Sequence, residues 1–181
     1  MKTKAYSVVK TDRVKFDENG YSPVYGELTK KGVHQIFRNC NMDNKILYDM
    51  GSGIGNVIIN AWNVSSKWKK VIGIELSEDR HNDALLRKKR LQKNKKERTQ
   101  FYCNDIFNYN YCDADYIYIS NLCFPDKINR KIGEKLDKEL KPGTIIFASK
   151  EIYLSIPFER KTFNVEQSWS EKSSIIQYFI L

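Results

Sequence analysis

The sequence predicts an α/β domain: a doubly wound, mainly parallel sheet with an antiparallel C-terminal edge hairpin. Three observations carry that expectation. From Lys45 onward, strand-like runs alternate with helical stretches, which implies parallel strands covered on both faces. The last two apolar runs are separated only by a turn, so they pair antiparallel. A glycine-rich turn follows the first strand of the alternation, where such sheets open a ligand crevice. The 181 residues, 41% of them hydrophobic, suffice for one domain with a real core. That domain spans 1–181, with an N-terminal part to residue 44 and a core over 45–181.

Each element has its own signal. Residues 6–17 read as a hairpin, "YSVVK" and "RVKFD" around a "TD" turn. "ENGYSPVYGEL" is a loop, given its Asn-Gly and its proline. Thr29 is placed to cap a helix whose Val33, Ile36, Phe37 and Cys40 recur on one face. "KILYDM" is a strand, "IGNVIINAWN" opens a helix, and "KVIGIEL" is the second strand. One helix is expected over about residues 77–98. "TQFYCND" and "DYIYIS" are the third and fourth strands. "DKINRKIGEKLDKEL" is a helix that "KPG" stops before a fifth strand, "TIIFAS". "TFNVEQSW" and "IIQYFIL" form the closing pair.

Composition narrows the function classes. A net charge of +9 points to an acidic partner, most often nucleic acid or a protein bound to it. The four cysteines, Cys40, Cys103, Cys112 and Cys123, show no CxxC spacing, and there are two histidines. That argues against a metal site and for free thiols in a reducing, intracellular setting. The N-terminus lacks a signal-peptide pattern, and no apolar run approaches membrane-spanning length.

The turn "DMGSGIGN" sits where a nucleotide or nucleoside would bind. It has no GxxxxGK[ST] lysine, so it is not a P-loop, and its spacing differs from GxGxxG. Asp49 precedes the glycines and would repel pyrophosphate, but it suits a ligand with a cationic centre. Glu75 ends the second strand, where an acid can hold ribose hydroxyls. Asp105 ends the third, where an acid can accept a hydrogen bond from an adenine amino group. Three acids at successive strand ends fit S-adenosylmethionine. The turn resembles motif I of the class I methyltransferases, whose Rossmann-like sheet also ends in an antiparallel hairpin.

Further segments resemble one family in particular. These are "YSPVYGELT", "YDMGSGIGNVIINA", "DYIYISNLCF", "KPGTIIFASK" and "QSWSEKSSIIQYFI", in order over residues 21–180. They are similar to the disruptor-of-telomeric-silencing family of non-SET histone lysine methyltransferases. The resemblance implies a histone lysine N-methyltransferase acting on a core histone, histone H3 in nucleosomes, in the nucleus or, for a virus, a viral factory. It implies that Tyr25 and Glu27 fold over the methionine end of S-adenosylmethionine. Asp49, Gly51, Ser52, Gly53, Gly55 and Asn56 would line the other side, with Glu75 on the ribose and Asp105, Ile106 and Phe107 around the adenine. Tyr25, Ser120 and Asn121 would stand nearest the reacting groups. Tyr21, Phe124 and Trp169 would wall a narrow lysine channel.

The chemistry suits such a channel. Methyl transfer to an amine is an in-line displacement that needs a neutral amine, against a reference pKa of about 10.4. Apolar walls disfavour the ammonium by desolvation, and positioning supplies much of the rate. Three departures from the family pattern stand out. Ser120-Asn121 replaces two asparagines, Ile106 replaces the aromatic after the third-strand acid, and almost none of the family's long extensions is expected around the core.

Residues 87–98, "RKKRLQKNKKER", hold eight basic residues and one acid. As a helix their charges point all round, which predicts a projecting end. Arg87, Lys88, Lys89, Arg90, Lys93, Lys95, Lys96 and Arg98 are then candidates for contact with nucleosomal DNA or an acidic histone surface. Two rival readings remain. An RNA or DNA methyltransferase fits the charge, although "SNLCFP" stands where amino-methylating enzymes carry Asn-Pro-Pro-aromatic. A non-catalytic cofactor-binding or nucleosome-binding module would follow if Ser120 has removed turnover.

Overall fold

The computed structural model describes Glu18 and residues 26–181. The hairpin expected over 6–17, and Tyr21 and Tyr25 in the following loop, lie outside the described residues. The strands are β1 Ile46–Met50, β2 Lys70–Glu75, β3 Thr99–Cys103, β4 Tyr116–Ile119, β5 Ile145–Ala148, β6 Phe158–Gln167 and β7 Ser170–Ile180. The helices are α1 Lys30–Phe37, α2 Asn56–Val64, α3 Glu78–Lys88, α4 Lys93–Glu97 and α5 Asp126–Glu139. The sheet runs β3-β2-β1-β4-β5-β7-β6. Its first five strands are parallel, and β7 lies antiparallel to both β5 and β6. Strand order reverses between β1 and β4, which opens a crevice at their carboxyl ends.

Side-chain alternation divides the core in two. Leu47, Val71, Phe101, Tyr116, Tyr118 and Phe147 face α1 and α2, whose Val33, Phe37, Ile58 and Trp62 are buried against them. Ile46, Tyr48, Met50, Ile72, Ile117 and Ile146 face Ile128, Ile132 and Leu136 of α5. The caps follow the sequence. The Thr29 side chain accepts from the Gly32 amide at 3.0 Å, and Ser77 accepts from that of Arg80 at 3.3 Å. Gly143, at φ +86°, makes the turn after α5.

The helix expected over 77–98 is two helices with a break at residues 89–92. Leu91, the one apolar residue of the basic run, packs against the first core cluster and so pulls the chain back. The fold-back also finds oxygen partners for the cations. Arg87 Nη1 donates to the Ile54 carbonyl at 3.1 Å, and Lys95 Nζ to that of Trp62 at 3.3 Å. Arg98 Nη1 donates to the Trp68 carbonyl at 2.6 Å, with its guanidinium 4.7 Å over the Trp62 ring. Burial, then the charge of Lys96, holds the Lys88 ammonium below its usual pKa. The expected projecting end is therefore largely folded onto the body.

Candidate active site

The glycine turn is held in shape from below. Gly51, Gly53 and Gly55 take left-handed φ values of +85°, +53° and +77°. A side chain on Gly51 would meet nothing within 4 Å, so backbone is laid open to a ligand there. The Gly51 and Ser52 amides donate to the Ile74 carbonyl of β2 at 2.9 and 2.8 Å. Glu75 is buried. Its Oε2 accepts from the Gly53 amide at 2.8 Å and its Oε1 from that of Ser77 at 2.9 Å. Its carboxylate thus braces the turn from within the fold.

A narrow cavity opens beside this turn. Asp49, Gly51, Ser52, Asn56, Val57, Tyr118 and Ser120 line it on the sheet side, and Gly26, Glu27 and Leu28 on the other. Asp49 is only 2% exposed. Burial, then the negative charges of Glu75 and Glu27, raises its carboxyl well above the ordinary carboxylate range. Ser52 Oγ and Tyr118 Oη are buried without a closed hydrogen bond. A buried acid among acids, beside unsatisfied hydroxyls and bare backbone, is a cradle for a cationic ligand that also carries polar groups.

The segment over the cavity is stitched to the β6–β7 turn. Ser168 N donates to the Glu27 carbonyl at 2.8 Å, and Glu27 N donates to Ser168 Oγ at 3.1 Å. Leu28 bridges to Gln167, and Thr29 Oγ1 donates to Glu166 Oε1 at 2.7 Å. The Trp169 ring lies on Gly26, so closely that a Cβ there would stand 1.9 Å from it. Even so, Trp169 stays 45% exposed, at the rim. Asn56 ties the turn to this segment. Its Nδ2 donates to the Leu28 carbonyl, and its Oδ1 accepts from Arg87 Nη2 at 3.2 Å and Asn60 Nδ2 at 3.0 Å.

The cavity thus gathers Glu27, Asp49, Gly51, Ser52, Asn56 and Ser120 from the expected set. Gly53, Gly55, Glu75, Asp105, Ile106, Phe107, Phe124 and Trp169 stand outside its lining. Asp105 Oδ1 caps a short 3-10 turn, Ile106–Asn108, by accepting from the Phe107 amide at 2.8 Å. Ile106 is buried in the second core cluster, and Phe107 and Phe124 pack against it. Gly26, Leu28, Val57 and Tyr118 were missed. Tyr118 was within reach, because it lies on β4 two residues before Ser120, which follows the strand's end.

Two expected roles change. Asn121 is fully buried with its amide engaged within the fold. Its Nδ2 donates to Asn129 Oδ1 at 2.8 Å and the Lys150 carbonyl at 3.0 Å, and its Oδ1 accepts from Lys150 N at 2.9 Å. Asn121→Ala is expected to destabilise the protein by about 2–4 kcal/mol through orphaned buried partners. Ligand affinity of the folded fraction is expected to hold, and denaturant melts with calorimetry check both. Arg87, assigned above to an outside partner, instead holds the glycine turn through Ile54 and Asn56. Among the described residues no group of His, Cys, Asp and Glu could hold a metal ion, and no helix is long and apolar enough to cross a membrane.

The sheet order, the closing hairpin and the crevice at the strand-order reversal define the Rossmann-like class I methyltransferase fold. The chain belongs to the family described as histone methylation protein DOT1, which matches residues 5–174. It is 29% identical over 142 residues to a histone-lysine N-methyltransferase, H3 lysine-79 specific, of Kluyveromyces lactis. That match covers 71% of this chain and 24% of the relative. It is 33% identical over 103 residues to a protein-lysine N-methyltransferase of Saccharolobus islandicus, covering 55% of this chain and 58% of that one. The chain therefore spans about a quarter of the yeast relative's length and over half of the archaeal one's. An RNA methyltransferase of Salinibacter ruber, solved with S-adenosyl-L-homocysteine, shares the fold at TM-score 0.63 and 21% identity, over 82% of this chain and 88% of that one.

Proposed function

We propose that this chain is an S-adenosylmethionine-dependent protein lysine N-methyltransferase acting in chromatin on a core histone, histone H3 within the nucleosome. The observation that carries the reading is Asp49: a buried, charge-starved carboxyl beside a glycine turn whose backbone is bare. Family membership and the relatives' names support lysine as the acceptor. When bound, the cofactor supplies an electrophilic methyl group on a positively charged sulfur.

The protein's own residues do the rest. Asp49, with Glu27 across the cavity, opposes the ligand's positive charge. Gly51 and Ser52 present the turn, and Asn56 holds the turn and the 26–28 segment together. Glu75 keeps the turn's amides oriented, and it would lie on the ribose side of the cofactor, with Asp105 on the adenine side. Tyr25 is assigned to the methionine end of the cofactor. Trp169 stands at the rim and sheds water from an entering lysine, and Tyr21 and Phe124 are assigned to the same channel. The ammonium gives its proton to solvent on the way in, so no dedicated base is needed. Positioning then brings the neutral amine in line with the methyl carbon.

A methyl-transfer assay with labelled cofactor on nucleosomes, free histones, RNA and DNA tests this. Transfer to histone lysine is the expected outcome. Transfer only to nucleic acid would replace the reading, and cofactor binding without transfer would make the chain a binding module.

Nucleosome contact is proposed for Lys89, Arg90 and Lys93, the exposed members of the basic run, with Lys88 and Lys96 at their flank. Neutralising Lys89, Arg90 and Lys93 together is expected to weaken nucleosome binding and lower its salt slope by about one unit per lost phosphate contact. Cofactor affinity is expected to stay put. Arg87→Ala is expected to do the reverse, since Arg87 holds the glycine turn. Salt-titrated binding to nucleosomes and calorimetry with cofactor separate the two, and an unchanged salt slope would reduce the run to a solvated face.

A further inference from the structure

We propose that the Tyr118 hydroxyl is a ligand-binding group of this site, accepting a hydrogen bond from an alkylamine nitrogen held in the cavity. The inference rests on the methyltransferase reading above. Tyr118 lies on β4 directly beside Asp49 of β1. Its side chain is buried and lines the cavity together with Asp49, Ser52 and Ser120. Its Oη stands within reach of the Ser120 and Ser149 hydroxyls, but neither it nor Ser149 Oγ closes a hydrogen bond of good geometry.

A buried hydroxyl left in that state destabilises the fold. Phenylalanine would fill the same space against the same neighbours without that cost. In the unliganded fold the hydroxyl has only the two serine hydroxyls beside it, and it gains a well-aimed partner when a donor enters. Charge says what enters. Among the described residues, the formal charges lining this cavity are those of Asp49 and Glu27, which favour a nitrogen donor over an anion. Burial, then the charge of Asp49, holds the phenol proton more tightly than usual. Tyr118 thus stays neutral and offers a lone pair; it does not deprotonate the amine.

Two amines meet this description: the ammonium at the methionine end of the cofactor, and the side chain of the incoming lysine. Tyr118→Phe distinguishes them. The melting temperature of the unliganded variant is expected to equal or exceed that of wild type, because an unsatisfied group has been removed. If the partner is the cofactor, the calorimetric Kd for S-adenosylmethionine rises about tenfold, with the single-turnover rate on nucleosomes at saturating cofactor unchanged. If it is the substrate, the Kd holds and kcat/KM on nucleosomes or free core histones falls about tenfold instead. Either split supports the proposal. Unchanged affinity and rate would overturn it, as would a lower melting temperature with both preserved, since the hydroxyl would then serve packing alone. If wild type itself binds no cofactor, the methyltransferase reading falls and takes this proposal with it, whereas a binding wild type matched by the variant overturns only the role of Tyr118.

Discussion

Asp49→Asn is expected to lower S-adenosylmethionine affinity by about a hundredfold or more, while making the unliganded protein more stable at neutral pH. Both effects come from one carboxyl. Burial, then Glu75 and Glu27, raises its folded-state pKa well above the ordinary carboxylate range. A folded-state pKa above the unfolded one means that Asp49 favours folding fully below the unfolded value. That contribution is lost as the pH rises through the raised folded value. Asparagine has no charge to desolvate, so its advantage grows across that window and vanishes in strong acid. A cationic ligand reverses the balance, because it stabilises the ionised form. Wild-type affinity is therefore expected to fall as the pH drops below the raised value, by up to about tenfold per unit. The variant's residual affinity should be flat over the same range. Calorimetry against pH, in two buffers of different ionisation enthalpy, reads the affinity and the proton released on binding. Full cofactor affinity in Asp49→Asn would remove the basis of the enzymatic reading.

Trp169→Ala is expected to reduce turnover by about two orders of magnitude. The ring stands at the rim on Gly26, between the hairpin tip and the 26–28 segment. Its loss leaves a wide, wet mouth, so an entering lysine keeps its proton and is poorly aimed. Cofactor affinity is expected to change much less, since Asp49 and the glycine turn lie deeper. Raising the pH toward the amine's own pKa, about 10.4 for free lysine, should recover part of the rate. The measurement is a single-turnover rate on nucleosomes against pH, for wild type and variant at saturating cofactor. Equal rates would assign the ring to packing. Lost activity without recovery at high pH would point to lost aim instead of lost desolvation.

The architecture was legible in the sequence, because period and punctuation are local. Each parallel strand from "ILYDM" to "IIFA" falls where an apolar run predicted it, and Thr29 and Ser77 cap the helices that follow them. The paired tail strands required only the short turn between them. The site was legible in outline for the same reason: strand ends in a doubly wound sheet converge, so Asp49, the glycines and Ser120 had to lie near one another.

Other features were not local. The basic run reads as one continuous helix from its own residues, but in the fold it breaks at residues 89–92, where Leu91 packs against the first core cluster. Arg87 looks like its neighbours in sequence, but carbonyl and amide oxygens at Ile54 and Asn56 lie within its reach. Asn121 and Ser120 are adjacent, yet successive residues point to opposite sides, and one meets Asn129 and Lys150 while the other meets the cavity. Glu75 reads as a ligand acid in the sequence, and only the fold shows that its oxygens also accept from the amides of Gly53 and Ser77. Sequence by itself determined which residue types stand at the strand ends. Tertiary structure decided which of their hydrogen-bonding atoms were consumed by the fold and which, as at Asp49, Ser52 and Tyr118, were left facing the cavity. That division depends on distances between atoms far apart in the chain, to which no local pattern is sensitive.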